Sequence, residues 1–210
     1  MTQSAAVVFL VDDDPGVLKA LTRLLRAAGH EVRAFTSPQE FLARHDPSVP
    51  GCAVLDVAMP GLDGLELQAA LSTGGTDRPV IFITGRGDIP TTVRAMKAGA
   101  IDFLAKPVDD HQLLTAVAQA VETDAAARRS HAQLAAIQQR LATLTPRERE
   151  VLTHVVAGRL NKQIAHDLGT GEKTIKVHRS RMMIKLGVRT VADLVRLAAQ
   201  VGIESPPPEH

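Results

Sequence analysis

The stretch VVFLVDDD (residues 7–14) sets the reading: five apolar residues, Val7 to Val11, run directly into Asp12, Asp13 and Asp14. A run that is apolar at every position, instead of at alternate ones, is what a strand covered on both faces requires. The same figure returns three times downstream. CAVL (52–55) runs into Asp56, VIFI (80–83) into Thr84, and IDFLA (101–105) into Lys106. With a further pattern at about 31–35, these give five expected strands, at about 7–11, 31–35, 52–56, 79–84 and 101–104. Helical patterns lie between them, at about 15–28, 38–45, 64–72 and 89–98. Pro15 follows aspartates at one helix start, Ser37-Pro38 opens another, and Gly29 and Gly99 close two. Alternating strands and helices predict an α/β doubly wound, five-stranded parallel sheet.

In an open sheet of this kind the carboxyl ends of the strands share one edge, and ligands bind there. Asp12, Asp13, Asp56, Thr84 and Lys106 are therefore expected in one pocket. Clustered carboxylates repel one another unless a cation joins them, and hard oxygen ligands suit Mg²⁺. One carboxylate can then attack phosphorus to form an acyl phosphate, while Mg²⁺ and an ammonium offset charge on the phosphoryl oxygens. Asp56, ending the central strand, is the expected nucleophile. Asp12 and Asp13 would hold the metal, one of them through water; Lys106 would contact the phosphoryl group, and Thr84 would donate a hydrogen bond to it. Taken singly, an Asp after a strand is usually a helix cap and a Lys-Pro usually a loop; it is their joint placement at strand ends that points to a site. Asp14 reads as the N-cap of the Pro15 helix, Asp63-Gly64 as a turn, and Asp88 as a helix cap.

The chain has 210 residues, 45% of them hydrophobic, enough for one or two domains with their own cores. No apolar stretch reaches the roughly 20 residues that span a bilayer, so no membrane association is expected. The N-terminus lacks a basic region and reads as a first strand, not a signal peptide. Cys52 is the only cysteine; in an apolar strand it reads as inert core, and a reducing, cytoplasmic location follows. The net charge of +1 conceals an asymmetry: residues 1–122 carry 10 Lys/Arg against 15 Asp/Glu, and residues 123–210 carry 14 against 8. An acidic module joined to one that meets a polyanion is expected.

From Asp109 to about Thr143 there is no Gly or Pro, so a long helix is expected. Leu134, Ile137, Leu141 and Leu144 form an apolar seam along it, which suits either packing on its own domain or a short coiled coil between two chains. Thr145-Pro146-Arg147-Glu148 has the form of a helix start, and helices are expected at about 146–157, 161–168, 172–186 and 190–200. The tail ESPPPEH (204–210) reads as disordered. On a helical wheel Ile175, Met182 and Leu186 share one face of the third helix, while Lys173, Val177 and Ser180 lie opposite, flanked by Lys176 and Arg181. That suits a helix docked in a major groove, with Val177 against a thymine methyl and the cations near guanines or phosphates; an ordinary solvated face is the plainer alternative. No aromatic residue occurs in 123–210, and single-strand and RNA binders usually stack bases on aromatics, so duplex DNA is the favoured polyanion.

The segments VDDD (11–14), LDVAMPGLDG (55–64), ITGRGD (83–88) and AGAIDFLAKP (98–107) resemble the receiver domain of two-component response regulators, over residues 5–122. The resemblance implies that Asp56 is the phosphoacceptor, that Asp13, Asp56 and the backbone carbonyl of Ala58 bind Mg²⁺ with Asp12 assisting, and that Phe103 is a switch aromatic. It also implies that Ala58 and Arg86 influence the phosphoryl lifetime. Haloacid-dehalogenase-type phosphatases share the aspartate nucleophile, but they need a second Asp two residues on, where this chain has Ala58. Turnover of phosphate esters, and hence an enzyme, is not expected. Residues 144–188 resemble the LuxR-type helix-turn-helix, which implies a recognition helix at about 172–186, a buried, ion-paired role for Glu148, and packing or phosphate contact for His178; His166 reads as a solvated helix residue. The arrangement is that of FixJ/NarL-class response regulators. It implies a receiver at 1–122, a helical linker at 123–143, a small all-α helix-turn-helix domain at 144–204 and a tail at 205–210. The implied partners are a sensor histidine kinase, double-stranded promoter DNA, RNA polymerase and, when phosphorylated, a second copy paired through about 88–120. An architectural DNA binder with an ungated receiver is the other class to weigh.

Overall fold

The structure, a computed structural model, describes residues 6–73, 77–85 and 89–203. It divides into two compact units, Met1–Arg128 and Arg129–His210. In the first, β1 (Val7–Val11), β2 (Glu31–Phe35), β3 (Gly51–Asp56), β4 (Val80–Thr84) and β5 (Asp102–Ala105) form one sheet in the order β2-β1-β3-β4-β5. Every pairing is parallel. The strands alternate with α1 (Pro15–Ala27), α2 (Pro38–Arg44), α3 (Gly64–Thr73), α4 (Ile89–Lys97) and α5 (Asp110–Ala142). β1, β3 and β4 are buried along their whole length, as their unbroken apolar runs require.

Side chains leave the two faces of the sheet alternately, and each face has its own helices. Val8, Leu10, Cys52, Val54, Ile81 and Ile83 pack against Leu18, Leu21 and Leu25 of α1 and Leu113, Val117 and Ala120 of α5. On the other face Phe9, Ala53, Leu55 and Phe82 meet Phe41 of α2, Leu67 and Leu71 of α3 and Ala95 of α4. Cys52 is fully buried and burial pushes its thiol up to about 12, which makes it unreactive. Asp14 caps α1, accepting hydrogen bonds from Gly16 N and Val17 N.

A knot of ionic groups closes the edge where the strands begin. Arg78, almost fully buried, donates to His45 Nε2 at 2.8 Å and to the carbonyls of Asp46, Val49 and Gly51. Its guanidinium lies 4.4 Å from the centre of the Phe9 ring. Burial, and then the Arg78 charge, lowers the His45 pKa to about 4, so this imidazole is neutral and free to accept. Arg128 donates to the carbonyls of Pro47, Ser48 and Val49, and buried Asp124 accepts from both Arg128 Nε and Gly51 N at 2.8 Å. Position 51 admits only glycine: its φ is +136°, and a Cβ there would lie 1.9 Å from Val7 O.

The second unit is all helical: the end of α5, then α6 (Pro146–Val156), α7 (Asn161–Asp167), α8 (Glu172–Leu186) and α9 (Val191–Gln200). Its core comprises Val151, Leu152, Ile164, Ile175, Met182, Leu186, Leu194 and their neighbours. Ile137 and Leu144 are buried in that same core, with Leu141 packed against it. Three of the four seam residues therefore pack within their own unit, and Leu134 is half-buried outside that core. Thr145 and Glu148 form a reciprocal capping box at the start of α6. Gly187, with φ +69°, ends α8 in the left-handed conformation that glycine adopts without cost. Arg86, Asp88 and the 204–210 tail lie outside the described residues.

Candidate functional site

Parallel registry gathers the strand-end residues. Val11 lies opposite Leu55, Asp56 opposite Ile83 and Thr84 opposite Ala105. The ladder continues one step past the strands, through Val57 N to Ile83 O at 3.0 Å and Lys106 N to Thr84 O at 2.6 Å. The residues at the mouth thus sit on regular backbone. Asp12, Asp56 and Thr84 are buried and Asp13 is exposed. One carboxylate oxygen from each of Asp12, Asp13 and Asp56 lies within 4.8 Å of the others. Lys106 Nζ is 2.7 Å from Asp12 Oδ2 and 3.3 Å from Asp56 Oδ1. Only the Asp12 contact has hydrogen-bond geometry, so Asp56 Oδ1 is buried without a donor.

Burial raises the pKa of Asp56 above the usual carboxylate range, with the nearby Asp12 charge adding to it; the Lys106 ammonium and the backbone N–H of Ala58 pull the other way. For Lys106, burial favours the neutral amine, but the hydrogen bond it donates to Asp12 and the Asp56 charge outweigh that and raise the pKa. A buried carboxylate oxygen lacking a donor, beside two further carboxylates, is a hard-oxygen set that fits a small divalent cation. Asp12, Asp13 and Asp56 would hold the ion, which would supply positive charge to phosphoryl oxygens.

Around this set, Phe103 is half-buried opposite Phe82, with ring centroids 6.2 Å apart. The expected Asp63-Gly64 turn is instead the start of α3. Asp63 Oδ1 accepts from Glu66 N at 2.7 Å, and Glu66 Oε2 accepts from Asp63 N at 2.9 Å. The backbone of Gly64 runs against that of the pocket strand: a Cβ there would lie 2.4 Å from the carbonyl oxygen of Asp56.

In the second unit, α8 buries Ile175, Met182 and Leu186 and exposes Lys173, Lys176, Val177, Ser180 and Arg181. Val177 keeps 47% of its surface in water. His178 is half-buried, and Lys176 pairs with Glu172 at 3.4 Å. Glu148 is buried and accepts from Lys185 Nζ at 2.6 Å and Thr145 N at 2.9 Å. The Lys185 hydrogen bond holds its carboxyl below the usual range. The sequence reading assigned no role to Arg179, whose guanidinium donates to Asn161 Oδ1 at 2.9 Å.

A profile of the response regulator receiver domain matches residues 8–118, and one of the bacterial regulatory proteins of the LuxR family matches residues 142–198. The chain belongs to the response regulators. As such it is a DNA-binding regulator of a two-component system, a phosphoacceptor and not an enzyme. The response regulator is 46% identical to nodulation protein W of Bradyrhizobium diazoefficiens, over 95% of this chain and 88% of that one. It is 39% identical to the transcriptional regulatory protein FixJ of the same organism, over 93% and 96% of the two chains. Among solved structures, response regulator StyR superposes with a TM-score of 0.87 at 46% identity, covering 93% of this chain and 99% of that chain. Receiver domains bind Mg²⁺ at an acidic pocket, and this response regulator has the aspartate cluster for it. No described helix is long and apolar enough to cross a membrane.

Proposed function

We propose that Asp56 accepts a phosphoryl group from a histidine kinase and that this switches promoter binding. The observation that carries the reading is the convergence of Asp12, Asp13, Asp56 and Lys106 in one pocket, with Asp56 Oδ1 buried and lacking a donor. An Asp56 oxygen attacks phosphorus, the bond from phosphorus to the kinase imidazole breaks, and the imidazole leaves with a proton. Lys106 and Thr84 contact the phosphoryl oxygens, and the Ala58 carbonyl joins the aspartates as a Mg²⁺ ligand. Phe103 turns inward as Thr84 moves toward the phosphoryl group. The face built from α4, β5 and α5 then pairs with a second copy and places two α8 helices on adjacent half-sites. Lys173, Lys176, Val177, Ser180 and Arg181 meet the duplex, and RNA polymerase is the downstream partner. The reading assigns 1–122 to the receiver, 123–143 to the linker and 144–204 to the DNA-binding domain, in a protein of the cytoplasm.

The test is labelling by acetyl phosphate with Mg²⁺, followed by oligomeric state and promoter affinity, in wild type and Asp56→Asn. Label on the wild type alone, with pairing and tighter binding, supports the proposal. An equal response in the two proteins refutes it in favour of an ungated DNA binder.

A further inference from the structure

The C-terminal half of α8 borders a concavity of about 390 Å³, lined by Asn161, Lys176, Arg179, Ser180 and Arg189 among others, and by no carboxylate. Two arginines of this unit are matched by acids, Arg147 by Glu150 and Arg196 by Asp193, while Arg140 and Arg149 donate to backbone carbonyls. Arg179 is held differently, by the neutral amide of Asn161 across the gap between α7 and α8. An amide oxygen fixes the plane of a guanidinium without cancelling its charge, and leaves the remaining N–H donors free. Arg189, just past α8, is exposed and has no ion pair or hydrogen bond among the described residues. Two uncompensated arginines, one pre-oriented, beside a serine hydroxyl and a lysine suit a bidentate phosphate ligand.

We propose that Arg179, oriented by Asn161 and joined by Arg189, seats one backbone phosphate of duplex DNA at the C-terminal shoulder of α8. The seat positions the helix and reads no base. It rests on the DNA-binding reading of this domain and adds a contact outside the base-facing residues.

The probe is a random-sequence duplex, titrated with the full-length protein by fluorescence anisotropy across a series of salt concentrations. Each phosphate contact contributes about 0.9 to the slope of log affinity against log salt. Arg179→Ala is expected to lower the slope by about that amount, Arg179→Lys to retain it, and Arg179→Ala/Arg189→Ala to lose no more than the one phosphate. Asn161→Ala, which keeps the charge but frees it, is expected to weaken binding about two- to tenfold at an unchanged slope. Thermal melting of each variant separates these effects from misfolding. An unchanged slope in Arg179→Ala overturns the seat, whatever happens to affinity, provided Lys176→Ala/Arg181→Ala still lowers it. A wild type whose duplex binding ignores salt sinks the DNA-binding reading itself.

Discussion

Lys106 lies closer to Asp12 than to Asp56, 2.7 Å against 3.3 Å, and hydrogen-bonds only the former. The ammonium is thus lodged among the carboxylates that would hold a divalent cation, and like charges in one pocket repel. Lys106→Met is expected to tighten Mg²⁺ binding by about fivefold or more, equivalent to about 1 kcal/mol of repulsion removed, while phosphoryl labelling of Asp56 falls. Isothermal titration reads the first effect. Unchanged or weaker Mg²⁺ affinity would mean the ammonium and the cation do not compete.

Gly64 presses on the backbone of the proposed phosphoacceptor. Adding one methyl group would put carbon 2.4 Å from Asp56 O, so the strand end or the helix start must shift. Gly64→Ala is expected to cost about 1–3 kcal/mol in urea unfolding and to depress phosphodonor labelling together with stability. A variant as stable as wild type would show that α3 can slide freely.

Asp124 accepts from both Arg128 Nε and Gly51 N in the knot. Asp124→Ala strips two donors of their shared acceptor and is expected to destabilise the receiver by about 2–3 kcal/mol. In a double-mutant cycle with Arg128→Ala the coupling should exceed about 0.5 kcal/mol. Additive losses would mean that the two side chains act separately.

Glu148 gives the second unit an acid sensitivity. Its folded pKa is held below the unfolded value of 4.5 by the Lys185 hydrogen bond. The stabilisation is therefore complete above about pH 4.5 and drains away as pH falls toward the folded value. Glu148→Gln should be less stable than wild type at neutral pH, with the gap closing in acid. Melting curves at several pH values check this; a gap that is constant with pH would remove the ion pair from the explanation.

β1, β3 and β4 were legible because burial on both faces leaves no polar position to interrupt the run, as in Val7–Val11 and Val80–Ile83. The pocket followed from topology, since parallel strands bring their ends together irrespective of sequence separation. The Gly64 contact was only half legible: the residues DG signal a turn, and whether a helix opens there depends on the Glu66 partner of Asp63. The ionic knot was not legible, since Asp124 and Gly51 are 73 residues apart and no local pattern links them. Arg179 was hidden by its own position, four residues after Ile175 and three before Met182, where a helical wheel assigns it to the apolar side and says nothing of Asn161.

Ile137 and Leu144 are enclosed within their own helical bundle. Greasy teeth already meshed at home are not on offer to a twin, so the proposed pairing would draw on other surfaces. Under the proposed pairing a second copy would meet side chains that still reach solvent, and on α4 these are Ile89, Val93 and Met96. Charge placed at those three sites should abolish pairing on phosphorylation, whereas charge at Leu134 should leave it intact; size-exclusion chromatography with light scattering distinguishes the two.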